Sequence, residues 1–189
     1  MTRVLRIRPL LRLLLILVLA PGGAAAADEF RVDKVETRLE GDVLVMDARI
    51  DYAFSDVALE ALDNGVPLTL EVHIQLRNTD AWVWEDNLVD QRLRYVIRYK
   101  PLSERYLVSL LPGDGGRSYV TRDAAIGALG EIENLQLVAK DRLEDGETYE
   151  IHLLVSLDIE ELPLPLKPIA YLRPSWKLSS GWTKWPLEP

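Results

Sequence analysis

The sequence predicts a single antiparallel β-sandwich of immunoglobulin-like architecture with two short inserted helices; a β-barrel is the alternative. Three observations predict it. Apolar and polar residues alternate with period two over several segments. Glycine-, proline- and aspartate-rich turns separate those segments. Only two short stretches break the rhythm with helical spacing.

The chain begins outside this pattern. Arg3, Arg6, Arg8 and Arg12 form a basic leader, Leu13 to Ala20 is apolar, Pro21-Gly22-Gly23 breaks any helix, and Ala24 to Ala27 supply small residues. This reads as a signal peptide over residues 1–27, cleaved after Ala26 or Ala27. The apolar run falls short of the roughly 20 residues of a spanning helix. The expected location is therefore the periplasm, the alternative being an inner-membrane anchor formed by the uncleaved leader. Residues 28–189 are expected to form one domain, with a Pro/Trp-rich C-terminal segment over 161–189.

Within that domain, "FRVDKVETRL" alternates but slips phase between Val32 and Val35, which predicts a β-bulge. Glu40-Gly41-Asp42 predicts a hairpin. "VLVMDARIDY" then sets Leu44, Met46, Ala48, Ile50 and Tyr52 against Asp47, Arg49 and Asp51. "SDVALEALDNG" predicts a helix with Ser55 as N-cap, an apolar face of Val57, Ala58, Ala61 and Leu62, and an Asn64-Gly65 stop. In "LTLEVHIQLR", Leu68, Leu70, Val72, Ile74 and Leu76 should face the core, with Thr69, Glu71, His73, Gln75 and Arg77 facing water. "RLRYVIRYK" sets Leu93, Tyr95, Ile97 and Tyr99 against Arg92, Arg94, Arg98 and Lys100. Pro112 to Gly116 is a loop. "TRDAAIGALGEI" predicts a second helix, capped by Thr121, with Ala125, Ile126 and Leu129 inward. Asp145-Gly146-Glu147 opens the strand "YEIHLLVSLDI", where Tyr149, Ile151, Leu153, Val155, Leu157 and Ile159 face in. One buried and one wet face per strand is the antiparallel pattern. Helices this short are not stable alone, so both must pack on the sheets.

The C-terminal segment departs from the strand rhythm. Pro163 and Pro165 remove ladder donors, so Leu162 to Leu166 is no central strand. The expectation is an extended crossover, a last edge strand around Leu172 to Leu178, and a Ser179-Ser180-Gly181 turn. Tyr171 and Trp176 should be buried, and Trp182 and Trp185 exposed.

Charge and composition exclude several function classes. The whole chain has 22 Lys+Arg and 30 Asp+Glu, a formal charge of −8. Removing the leader leaves 18 Lys+Arg against 30 Asp+Glu, a formal charge of −12. Such a protein lacks the clustered positive charge that nucleic acid requires, and no nucleic-acid partner is expected. The chain contains 0 Cys, which excludes disulfides, a cysteine nucleophile, thiolate metal sites and lipid attachment through cysteine.

Candidate chemistry is sparse. His73 and His152 both fall on polar faces; only if their strands were adjacent would they approach a metal site with Glu71 or Glu150, and the simpler reading is two unrelated surface histidines. Asp158, Glu160 and Glu161, and the acids from Asp141 to Glu147, form no calcium loop and read as solvated surface. No Gly-x-Ser-x-Gly, Ser-x-x-Lys or phosphate-cradling glycine motif is present. No catalytic residue, cofactor or metal is assigned, and the protein is not expected to be an enzyme. The candidate partner or ligand surface is Arg92, Arg94 and Arg98 on one basic strand face, with Trp82, Trp84, Trp182 and Trp185 in connections and the tail. The basic face suits lipid headgroups or an acidic partner; the simpler reading is cross-strand pairing with neighbours carrying Asp47, Asp51 or Glu71. The tryptophans suit core packing, partner hot spots, sugar stacking or interfacial membrane contact.

"LDIEELPLPLKPIAYLRPSWKLSSGWTKWP", with "NGVPLTLEVHIQLR", the Trp82/Trp84 pair, "LRYVIRYKPLSERYLV" and "TRDAAIGALGEI", resembles a proteobacterial domain-of-unknown-function family, number 4390. The resemblance covers essentially the whole chain after the leader. It implies an exported protein with no assigned catalytic residue, and through gene neighbourhood an accessory of a membrane sensor histidine kinase. The expected function is thus a non-catalytic module that binds a membrane or periplasmic protein, with contact at the membrane surface but no spanning segment after cleavage. A glycan- or small-ligand-binding domain using Trp82 and Trp84 is the alternative, and a hydrolase with a scattered site is the third reading.

Overall fold

A computed structural model describes residues 29–80, 87–113 and 115–187. The period-two segments become nine strands: β1 (Phe30–Glu40), β2 (Val43–Tyr52), β3 (Leu68–Asn78), β4 (Val89–Lys100), β5 (Arg105–Leu111), β6 (Arg117–Tyr119), β7 (Glu131–Ala139), β8 (Tyr149–Leu157) and β9 (Ser179–Pro186). Three helices join them among the described residues: α1 (Asp56–Asp63), α2 (Arg122–Leu129) and α3 (Lys167–Leu172). The strands form two antiparallel sheets, a small one of order β1-β2-β7 and a large one of order β6-β5-β4-β3-β8-β9. They face each other as a sandwich and do not close into a barrel.

In chain order this is the strand sequence of an immunoglobulin variable-type domain. β1, β2 and β7 take the places of A, B and E, while β9, β8, β3, β4 and β5 take G, F, C, C′ and C″. The departure is β6, in the place of D, which pairs with β5 instead of joining the small sheet. The corner before β8 is also of this type. Tyr149, first in that strand, accepts a hydrogen bond at Oη from the Glu144 backbone N–H at 3.0 Å.

The core follows from the alternation. Leu68, Leu70, Val72, Ile74 and Leu76 are fully buried at the centre of the large sheet, flanked by Leu93 and Ile97 of β4 and by Ile151, Leu153 and Val155 of β8. Leu44, Met46, Ala48 and Ile50 close the core from β2. Phe30, Tyr52 and Phe54 cluster beside them, the Phe30 ring 4.9 Å from Tyr52 and 5.2 Å from Phe54. The predicted bulge lies between Val32 and Lys34. The Gly41 hairpin is present, with φ +62 at the glycine.

Both helix caps form as the sequence predicts. Ser55 Oγ accepts from Ala58 N at 3.3 Å and donates to the Ser175 carbonyl at 2.6 Å, tying α1 to the C-terminal segment. Thr121 Oγ1 accepts from Ala124 N at 3.2 Å. Gly130 ends α2 against β2: its carbonyl accepts from Ile50 N at 2.8 Å, and a Cβ there would sit 2.1 Å from Ile50 O.

Two expectations are corrected. The outer face of β3 is not wet: Thr69, His73 and Gln75 are buried. Long polar side chains on β4 and β8, and an indole from β9, cover this central strand. The second correction concerns the tail, where Leu172 to Leu178 is not a strand. Pro174 has no N–H to give a ladder, and the local amides bond within turns, from Arg173 N to Ile169 O, Trp176 N to Arg173 O and Lys177 N to Pro174 O. The crossover is instead α3, with Pro168 tolerated in its first turn, followed by a 3-10 turn at Pro174–Trp176. The edge strand comes later, at β9. Ser179-Ser180-Gly181 is no chain reversal but a bulge inside it: Gly181 has φ +63, and the register slips between Leu154 and Ser156. Trp176 is buried as expected, whereas Tyr171 is exposed.

Candidate functional site

The large sheet turns its polar side outward, and its candidate residues gather there. The site is built on β3, β4, β8 and β9. Registers Gln75↔Asp90, His73↔Arg92, Gln75↔His152 and Leu154↔Trp182 place these side chains on one face.

At its centre His73 is only 8% exposed. Its Nε2 lies 2.8 Å from Asp90 Oδ1 and 3.2 Å from the Gln75 amide nitrogen. The carboxylate is the stronger acceptor, so Nε2–H donates to Asp90, and the Gln75 amide donates to Asp90 Oδ2 at 2.9 Å. Asn87 adds a third donor to Asp90 at 3.2 Å, and Arg77 fixes the Gln75 carbonyl oxygen at 2.8 Å. The His73 hydrogen bond, with help from Gln75 and Asn87, holds the Asp90 carboxyl below its ordinary range against the opposing effect of burial.

Trp182 completes the cluster. Its ring centroid is 5.0 Å from that of His73, tilted by 59°, and the residue is 48% exposed. One part of the indole is seated on the buried histidine and the rest is offered to solvent. The Gly181 bulge directly precedes it, and Ser180 Oγ anchors the bulge by accepting from Val155 N at 3.0 Å. Next to it, Glu150 meets His152 at 3.2 Å and Lys184 at 3.8 Å. β3 and β8 are neighbours, so the two histidines are not unrelated: they are diagonal across one strand pair. They nevertheless bond different carboxylates, and among the described residues no group of three or more His, Asp or Glu side chains is placed to hold a metal ion.

The remaining candidates divide. Arg92 pairs with Glu71 at 3.1 Å. Arg94 reaches Glu161 at 2.8 Å and Asp158 at 3.4 Å, and the Glu161 bond above all raises its pKa. Arg92 therefore holds an acid of the neighbouring strand, and Arg94 two acids of the connection that follows β8. Arg98 is exposed and has no acidic partner among the described residues; it lines a groove of about 330 Å³ with Thr69, Val96, Leu107 and Leu111. Trp185 does not share the face of Trp182. It pairs with Ile151 on the core side, is half-buried, and donates from Nε1 to Thr183 at 3.0 Å. A spacing of three residues puts two side chains on opposite faces of a strand. Trp82 and Trp84 lie outside the described residues.

Asp90 and Gln75 were not among the sequence candidates. The signal for Asp90 was present, because the alternation of β4 extends back through Val89 and puts Asp90 in phase with Arg92 and Arg94.

This geometry belongs to a β-sandwich with a hydrogen-bonded polar face and one half-exposed indole on it. A family model, Domain of unknown function (DUF4390), matches residues 27–186, and the chain belongs to that family. No curated protein and no solved structure matches it.

Proposed function

We propose that this protein is a non-catalytic binding module of the cell envelope, docking a protein partner through the outer face of the large sheet around Trp182. The observation that carries the reading is the half-exposed indole seated on the His73–Asp90–Gln75 network. Aromatic side chains held rigid before binding lose little entropy on association and recur as interface hot spots. The polar rim of His152, Glu150, Lys184 and Arg92 supplies directional contacts around it. The leader-like N-terminus supports an envelope location, and the family resemblance implies a membrane sensor kinase as the partner to test first.

Co-purification from cross-linked envelopes, wild type against Trp182→Ala, tests the reading. The wild type should recover one membrane or periplasmic protein reproducibly, and the variant should lose most of it at unchanged expression. Equal recovery by both would reject the Trp182 face.

A glycan-binding reading draws on the same indole, since an exposed aromatic face among hydrogen-bonding side chains also suits a sugar ring. Titration of tryptophan fluorescence with peptidoglycan fragments separates the two: a saturable change lost in Trp182→Ala supports the glycan.

A further inference from the structure

The Trp182 face leaves one end of the sandwich unused. The registers Leu68↔Ile97, Lys100↔Arg105 and Leu70↔Leu157 bring three connections to that end. These are α1 between β2 and β3, the β4–β5 hairpin tip, and the β8–β9 crossover that carries α3. The last two expose aliphatic side chains almost completely: Leu102 at 105%, Leu164 at 79% and Leu172 at 84%. Ile169 and Tyr171 add two more exposed apolar side chains on α3. Ala170, between them, is buried and seats the helix on the fold.

Charge singles out the same crossover. From Leu162 to Leu187 there is no Asp or Glu, although the chain holds 30 of them. Lys167, Arg173 and Lys177 fall in this stretch, and none has an ion-pair partner among the described residues. At the hairpin, Leu102 lies between Lys100 and Arg105, which are also unpaired there. Of the acids at this end, Asp158 and Glu161 are engaged by Arg94, and Asp63 by Arg122 and Tyr106, whereas Glu104 at the hairpin tip, Glu160 before the crossover and Asp56 and Glu60 on α1 have no ion-pair partner among the described residues; the excess of cations therefore lies on the crossover itself.

We infer that this end of the sandwich docks on the surface of an anionic phospholipid bilayer, with Leu102, Leu164 and Leu172 entering the boundary between headgroups and acyl chains. Isolated aliphatic tips on two connections, with unpaired cations nearby, are the chemistry of interfacial attachment. A protein interface instead needs a closely packed patch whose centre excludes water. Side chains this free protrude, and a fluid headgroup layer conforms to protrusions where a folded surface does not. Pro163, Pro165, Pro168 and Pro174 hold the crossover stiff, so its tips are presented with little ordering cost. Among the described residues no helix is long and apolar enough to cross a membrane, so the attachment is peripheral. It leaves the face around Trp182 free for the partner and does not depend on that partner.

Co-sedimentation tests it, using the chain from Asp28 to the C-terminus, which contains every described strand and helix. Vesicles of phosphatidylethanolamine with phosphatidylglycerol are compared with phosphatidylcholine alone. The protein should partition onto the anionic vesicles, several-fold less onto the neutral ones, and less at high salt. L102S/L164S/L172S should lose at least about tenfold in partitioning at an unchanged thermal melt, because these side chains support no core contact. K167Q/R173Q/K177Q, which removes no apolar group, should lose several-fold and abolish the preference for anionic lipid. Failure to sediment with the anionic vesicles at low salt would overturn the inference. So would equal binding to both lipids, or wild-type binding by both variants; these are the results expected if the end instead serves a protein partner.

Discussion

Tyr52 shows how a single buried atom sets a local cost. The ring completes the Phe30–Phe54 cluster, but its Oη is buried with no hydrogen-bond partner among the described residues, and burial, with the neighbouring Tyr95, drives its pKa up. An unpaired buried hydroxyl costs about 1–3 kcal/mol, so Tyr52→Phe should be neutral or stabilising by up to about 1 kcal/mol in chemical denaturation. Tyr149 is the contrasting case. Its Oη accepts from Glu144 N at 3.0 Å, and Tyr149→Phe should cost about 1 kcal/mol by the same measurement. The two C-terminal tryptophans separate likewise. Trp182→Ala should leave the melting temperature nearly unchanged, whereas Trp185→Ala removes a ring packed against the core and should lower it clearly.

At the scale of elements, the caps and close approaches locate the fold's fixed points. Ser55→Ala removes the α1 cap and the bond to Ser175 O together and should cost about 1–2 kcal/mol. Gly130→Ala should cost more than Ser55→Ala, because its Cβ would meet the backbone oxygen of Ile50, which has no rotamer to change. α1 and α2 were legible in the sequence because Ser55 and Thr121 announce their starts and the apolar spacing follows at once. β2, β3, β4 and β8 were legible because their alternation is clean. β7 was harder to read: Asn134 sits at φ +53 beside the slip in its pairing with β2, and so breaks the phase. The tail misled for a related reason. Its prolines excluded a central strand but did not say that Pro168 would open a helix, and Ser179-Ser180-Gly181 has the composition of a turn whether it reverses the chain or bulges a strand. The wet face assigned to β3 failed because alternation reports which side points away from the core, not what neighbouring strands lay across it.

At the scale of the molecule, the two sheets are held on their outer faces by carboxylates with depressed pKa values. The backbone N–H of Asn134, and then Arg38, lower that of Asp47 on the small sheet; the His73 ring lowers that of Asp90 on the large sheet. A carboxylate with a lowered folded pKa contributes stability above its unfolded value and loses it as pH falls through the folded one. Denaturation midpoints should therefore drop as pH falls below about 4, and Asp47→Asn with Asp90→Asn should flatten that part of the profile at reduced overall stability. The same architecture assigns distinct surfaces: a sheet face with one seated indole, and a loop end with aliphatic tips. The candidate site was only partly legible for this reason. Trp182 and the basic strand were visible as residue types, but pairing decided that Arg92 and Arg94 hold acids of the fold itself and that His73 supports the indole.

Site-specific photo-crosslinking in intact cells tests docking through the Trp182 face most directly, with the probe placed at Lys184, beside Trp182, or at Glu133 on the opposite sheet. One discrete protein adduct is expected from position 184, lost when Trp182→Ala is added, and none from position 133. No adduct at 184, or the same adduct from both positions, would contradict docking there.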